Sequence, residues 1–188
     1  MVTMKTTDRC IAPYTYVSAQ IYFGSKRRVG SSFNRSDYRA RLNANARLLS
    51  MALEEFRKYL DFSKDTLIRL TSLKKASMRG TFNGTDNIAS IRYRTGFKSM
   101  LETLAHELVH GEQFHTRRLS FKWSNKKCNW VAYWDGQENS LTNNHAKYLK
   151  QPWEQEAFRR QEALAAMVYL NMFNRTDEMT EIEKEVFL

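Results

Sequence analysis

At 188 residues, with 42% apolar and 13% aromatic composition, the chain is long enough to bury one substantial core and reads as a single domain. Seven Gly and two Pro exclude collagen-like, low-complexity and Pro-rich linker architectures, and the longest apolar run, Ala163 to Leu170, falls far short of the roughly 18 residues a membrane span needs. Thirty Lys and Arg against twenty Asp and Glu give a net charge of +10; five acids and one base lie between Thr176 and Leu188, so the rest is more basic still and favours polyanionic or acidic partners.

From the N-terminus, the alternation in Tyr14 to Phe23 predicts a strand, followed by a basic, small-residue loop from Gly24 to Asn34. Ser36 or Asp37 is the expected N-cap of a long helix reaching about Leu60, with Leu42, Leu49, Leu53, Phe56 and Leu60 at helical spacing and the arginines on a solvated face. Thr66 to Leu73 and Met78 to Phe82 read as strands, the second leading into the turn residues Asn83 to Asp86, and Ile88 to Arg94 reads as a third, half-exposed strand. Phe97 to about His115 predicts an amphipathic helix, because Phe97, Leu101, Leu104, Ala105, Leu108 and Val109 recur at i, i+3 and i+4. The aromatic stretch Leu119 to Asp135, polar in its middle from Ser124 to Asn129, predicts a hairpin ending at Asp135-Gly136. A polar loop runs to Gln151, and Pro152 opens a helix to about Phe173. No internal repeat or linker divides residues 1–188, which comprise an N-terminal strand and long helix over 1–65, a core over 66–173 and an acidic tail over 174–188. The first thirty residues carry no apolar stretch followed by a small-residue cleavage site, and Cys10 and Cys128 form no zinc spacing; the expected setting is the cytoplasm, with both cysteines as thiols.

One motif rises above this background: His106-Glu107-Leu108-Val109-His110, inside the predicted amphipathic helix. With the His and Glu content of this chain, about 0.006 such matches arise by chance. Residues four apart lie one turn above each other, so both imidazoles can face one cation while Glu107 projects beside them. A catalytic zinc needs a third protein ligand and one open position. His115, five residues after His110, is rotated about 140° away on a continuing helix and is a poor ligand. The better source is an acid on the next helix, and both Glu154 and Glu156 are available; composition does not choose between them.

The H-E-L-V-H at 106–110, the aromatic hairpin after it, Tyr148, and Pro152-Trp153-Glu154-Gln155-Glu156-Ala157 together resemble the small zincin-like metallopeptidase domains encoded by bacteriophages, over roughly residues 66–173. The resemblance implies a compact α+β fold: a small antiparallel or mixed sheet, the motif helix, and a following helix that bears the third ligand. In gluzincins that ligand lies in a Glu-x-x-Ala pattern, which implies Glu154 beside His106 and His110, with Zn2+ as cofactor. The implied activity is hydrolysis of peptide bonds in a protein substrate. Glu107 takes a proton from the attacking water and returns it to the leaving amine, and His145, Tyr148 or Tyr133 donates to the oxyanion. The resemblance also places the strand from Asn87 to Arg94 at the sheet edge along which substrate lies, with Arg92 and Arg94 favouring acidic side chains.

Two other classes compete. The charge suits a nucleic-acid-associated protein working through its basic surface, although no nucleic-acid motif or glycine-rich phosphate loop is present and the bases are spread along the chain. A virion-associated or interaction component could keep the fold without turnover; the intact His106, Glu107 and His110 argue against it, because a scaffold has no use for a general base.

Overall fold

The computed structural model describes residues 17–19, 35–71, 79–93, 96–142 and 144–188. In chain order the elements are β1 (Val17–Ala19), α1 (Arg35–Phe56), β2 (Leu67–Thr71), β3 (Gly80–Asn83), β4 (Ile88–Arg92), α2 (Phe97–His115), β5 (Leu119–Ser124), β6 (Asn129–Trp134), β7 (Gln137–Asn139), α3 (His145–Tyr148), α4 (Pro152–Phe173), a 3-10 turn (Thr176–Glu178) and α5 (Glu181–Phe187). The class is α+β. Among the described residues, no helix is long and apolar enough to cross a membrane.

The apolar spacing read along α1 is its buried stripe: Leu42, Leu49, Leu53 and Phe56 all lie in the main core. The helix begins at Arg35, so Asp37 stands in its first turn instead of capping it, where the helix dipole still favours its charge. α1 ends at Phe56, and Leu60, whose amide bonds back to the Phe56 carbonyl, folds into the same core.

Four strands form a mixed sheet in the order β1-β2-β4-β3. β1, β2 and β4 are parallel; β3 folds back antiparallel on β4, with Gly80 opposite Ile91 and Asn83 opposite Ile88. Alternation does the sorting: Ile68 and Leu70 on β2 and Ala89 and Ile91 on β4 are fully buried, while the intervening residues are half-buried. This corrects the expectation that Asn87 to Arg94 forms the edge. Ala89 and Ile91 need complete burial, which an interior strand supplies, and the edge falls to β3. Arg94, the flanks of the Tyr14 to Phe23 strand and the loop at 24–34 lie outside the described residues.

The hairpin expected from Leu119 to Asp135 forms as β5 and β6, and the turn at Asp135 (φ 48°) and Gly136 (φ 79°) adds a third strand, β7. Two consecutive residues at positive φ are what a tight hairpin turn of this hand demands. The base of this second sheet makes a small core of its own, Leu119 and Ala132 on Trp153.

Residues 174–188, read in sequence as an acidic tail, are packed. Met179 and Phe187 are buried in the main core, and Thr180 with Glu183 closes a capping box at the start of α5. Arg41 and Arg47, expected on a solvated face of α1, reach Glu185 and Glu183 instead.

Candidate metal centre

α2 and α4 pack along each other, and their contact brings together His106, His110 and Glu154. On α2, His106, His110 and Gln113 stand at i, i+4 and i+7 and therefore line one stripe. On α4, Glu154, Ala157 and Gln161 repeat at i, i+3 and i+7; Ala157 is fully buried, so no large side chain separates the helices.

His106 Nε2 and His110 Nε2 are 3.2 Å apart, Glu154 Oε2 is 3.4 Å from the first, and Glu154 Oε1 is 3.3 Å from the second. Glu154 is 2% exposed. Ligand atoms on a tetrahedral zinc at about 2.0–2.1 Å are separated by about 3.3 Å, so the spacing of these three groups matches the edge of that tetrahedron.

Hydrogen bonds behind the rings decide which lone pairs face inward. Gln113 Nε2 donates to the Trp153 carbonyl (3.1 Å) and to Glu156 Oε2 (3.1 Å), which turns its Oε1 toward His110 Nδ1 at 2.9 Å. An amide oxygen only accepts, so Nδ1 carries the proton and Nε2 offers its lone pair to the centre. Gln161 Oε1 lies 2.9 Å from His106 Nδ1. Two ring nitrogens and a carboxylate thus converge, an arrangement that a cation between them would stabilise.

The Tyr148 hydroxyl donates to Glu154 Oε1. Burial foremost, and then the carboxylate it touches, push that phenol well above its ordinary pKa, so it keeps its proton. For Glu154, burial pushes the carboxyl up, but contact with the His106 and His110 rings and the Tyr148 hydroxyl outweighs it and holds the pKa at about 2, so it presents a carboxylate. Glu107 is different. Burial raises its pKa to about 8, with His106 pulling down and Glu154 pushing up. Its carboxylate lies against β3: a methyl group on Gly80 would stand 2.6 Å from Glu107 Oε1 and 2.6 Å from Thr103 Cγ2, so only glycine permits this approach. The half-exposed Phe158 ring packs on His106 with centroids 4.7 Å apart.

Of the residues singled out in sequence, His106, Glu107, His110, Glu154 and Tyr148 come together. Glu156 does not join them; it pairs with Arg118 (2.9 Å) and Arg160 (3.2 Å). His145 opens α3 exposed and outside the cluster, and Tyr133 belongs to β6, with the Lys122 ammonium over its ring. His115 is exposed, 3.7 Å from Asp61. Gln113 and Gln161 are not singled out by the sequence alone, although they stand at helical spacing from His110 and Glu154. No family model, curated protein or solved structure matches the chain.

Proposed function

We propose that this chain is a zinc-dependent metallopeptidase with a zincin-like fold, acting on a protein or peptide substrate. The observation that carries the reading is the mutual 3.2–3.4 Å spacing of His106 Nε2, His110 Nε2 and the Glu154 carboxylate, with Glu107 on the same helix beside them. Support for the fold comes from the motif helix packed on a mixed sheet whose edge strand is antiparallel, and from the third acid on a following helix.

Zinc held by His106, His110 and Glu154 would supply Lewis acidity for both the attacking water and the scissile carbonyl. A cation held beside it would lower the raised pKa of Glu107, whose carboxylate then accepts the water proton as the C–O bond forms and delivers it to nitrogen as the C–N bond breaks. Tyr148 keeps its proton and serves as the hydrogen-bond donor to the developing oxyanion once its hydroxyl turns away from Glu154. The substrate backbone lies along the outer edge of β3, in place of the strand first expected, and Gly80 keeps that edge close to Glu107.

The test is cleavage of an unbiased peptide library. Glu107→Gln keeps the metal and lowers turnover by about 10²- to 10⁴-fold, the range for a lost general base, whereas His110→Ala loses metal and turnover together. Unchanged cleavage by Glu107→Gln contradicts the mechanism.

A further inference from the structure

The β5–β6 hairpin carries chemistry that the metal centre does not use. Residues 113–134 contain five bases, Arg117, Arg118, Lys122, Lys126 and Lys127, and no acid. The same stretch leaves three large rings in solvent: Phe121 is 41% exposed, Trp123 53% and Trp130 52%. All three share one face, because Phe121 and Trp123 are two apart on β5 and Trp123 stands directly opposite Trp130 on β6. The Trp123 and Trp130 rings meet edge to face at 6.0 Å, and Phe121 contacts Phe114 at 5.7 Å. The inner end of this face, Leu119 and Ala132, is buried on Trp153. The aromatic surface therefore continues outward past its own small core, and contiguous exposed rings of this kind mark a binding surface.

The cations divide into two groups. Arg118 is engaged by Asp135 and Glu156, Lys127 by Glu138, and Lys122 lies over Tyr133 on the opposite face. Arg117 and Lys126 are exposed and form no ion pair among the described residues. Arg117, in the left-handed region at φ 60°, lines a groove of about 740 Å³ together with Phe121 and Trp130, and the amide of Asn87 and hydroxyl of Ser120 line it as well.

We propose that this groove and aromatic face bind single-stranded nucleic acid, with unpaired bases stacked on Phe121, Trp123 and Trp130 and phosphates meeting Arg117 and Lys126. Sequence-tolerant binding of a single strand uses this pairing of stacking rings with cations, while amides and hydroxyls offer partners to base edges. A duplex hides its base faces and has no use for the rings. A neutral peptide would cover the rings but leave Arg117 and Lys126 without counter-charge. The inference is independent of the metal centre.

The test is fluorescence anisotropy of labelled oligo(dT) on the full chain between about 50 and 200 mM salt. Wild type binds, and more weakly as salt rises. The Trp123→Ala, Trp130→Ala double variant loses at least about tenfold in affinity, while Trp123→Phe, Trp130→Phe retains most of it. Both positions are exposed, and the circular dichroism spectrum checks that the fold survives. Arg117→Ala with Lys126→Ala lowers the slope of log affinity against log salt by about 1.4, two phosphate contacts on a single strand. The proposal is overturned by no binding at the lowest salt, equal affinity without the tryptophans, or equally tight binding of a duplex. Quenching of tryptophan fluorescence by a neutral aromatic peptide but not by oligo(dT) also overturns it, and reassigns the groove to peptides.

Discussion

Gln113 makes three contacts from one amide, to His110 Nδ1, the Trp153 carbonyl and Glu156, and so ties His110 on α2 to the first turn of α4. That gives Glu156 a role of its own: it fixes the amide that fixes His110. Gln113→Ala frees the imidazole to rotate and to take the other tautomer, and the account expects a 10- to 100-fold loss of zinc affinity, read by competition with a chromogenic chelator. Unchanged affinity contradicts it. His106, Glu107 and His110 were legible in the sequence because one helix sets their geometry. Glu154 was separated from Glu156 only by resemblance; the distinction depends on the rotation of α4 against α2, which no local pattern records. His145 and Tyr133 stand apart from the cluster for a similar reason hidden from sequence: a four-residue helix and a hairpin do not reveal which way their side chains face.

The C-terminal elements show how acids can be structural. Phe187 is 3% exposed and stacks on Tyr169 with ring centroids 4.6 Å apart, so Phe187→Ala leaves a cavity and costs about 3–5 kcal/mol, measurable by urea unfolding. A cost below about 1 kcal/mol would mean that α5 is not part of the core. Glu55, at the C-terminal end of α1, contacts Lys58 (2.6 Å), Arg175 (3.0 Å) and Asn171 (3.1 Å). Burial pushes its carboxyl up, but these partners outweigh it and hold the folded pKa below the ordinary 4.5. Stability from a lowered carboxylate pKa is fully present above the unfolded value and is lost as pH falls through the folded one. Glu55→Gln is therefore less stable than wild type at pH 7, and the gap narrows below about 4.5. A gap of constant size across that range would show that the charge is not what Glu55 contributes. The periodic helices α1, α2 and α4 were read within a few residues of their observed bounds. The sheet order was not, because β3 reaches the edge by folding back on β4, a non-local pairing that alternation cannot encode. The packing of residues 174–188 was hidden by their acids, whose partners Arg41 and Arg47 lie far back in the chain.

At the scale of the molecule, α2 joins everything. One side of it packs on the four-stranded sheet, where Phe82 lies on Gly111 and Glu107 lies on Gly80; another meets α4, where His106, His110 and Glu154 converge. The hairpin stands on the far end of that helix pair through Trp153, the neighbour of Glu154, and Arg118 clamps it by bonding Asp135 and Glu156 at once. The basic excess is thus partly consumed in structure and partly left free on the aromatic hairpin, which total charge alone could not distinguish. The central claim is the metal centre, and zinc per chain, counted by elemental mass spectrometry on protein purified without chelator, tests it most directly. The account predicts about one zinc in wild type and in Glu156→Gln, and loss of it in Glu154→Gln. No zinc retained or taken up by wild type, or loss in Glu156→Gln with retention in Glu154→Gln, would contradict it.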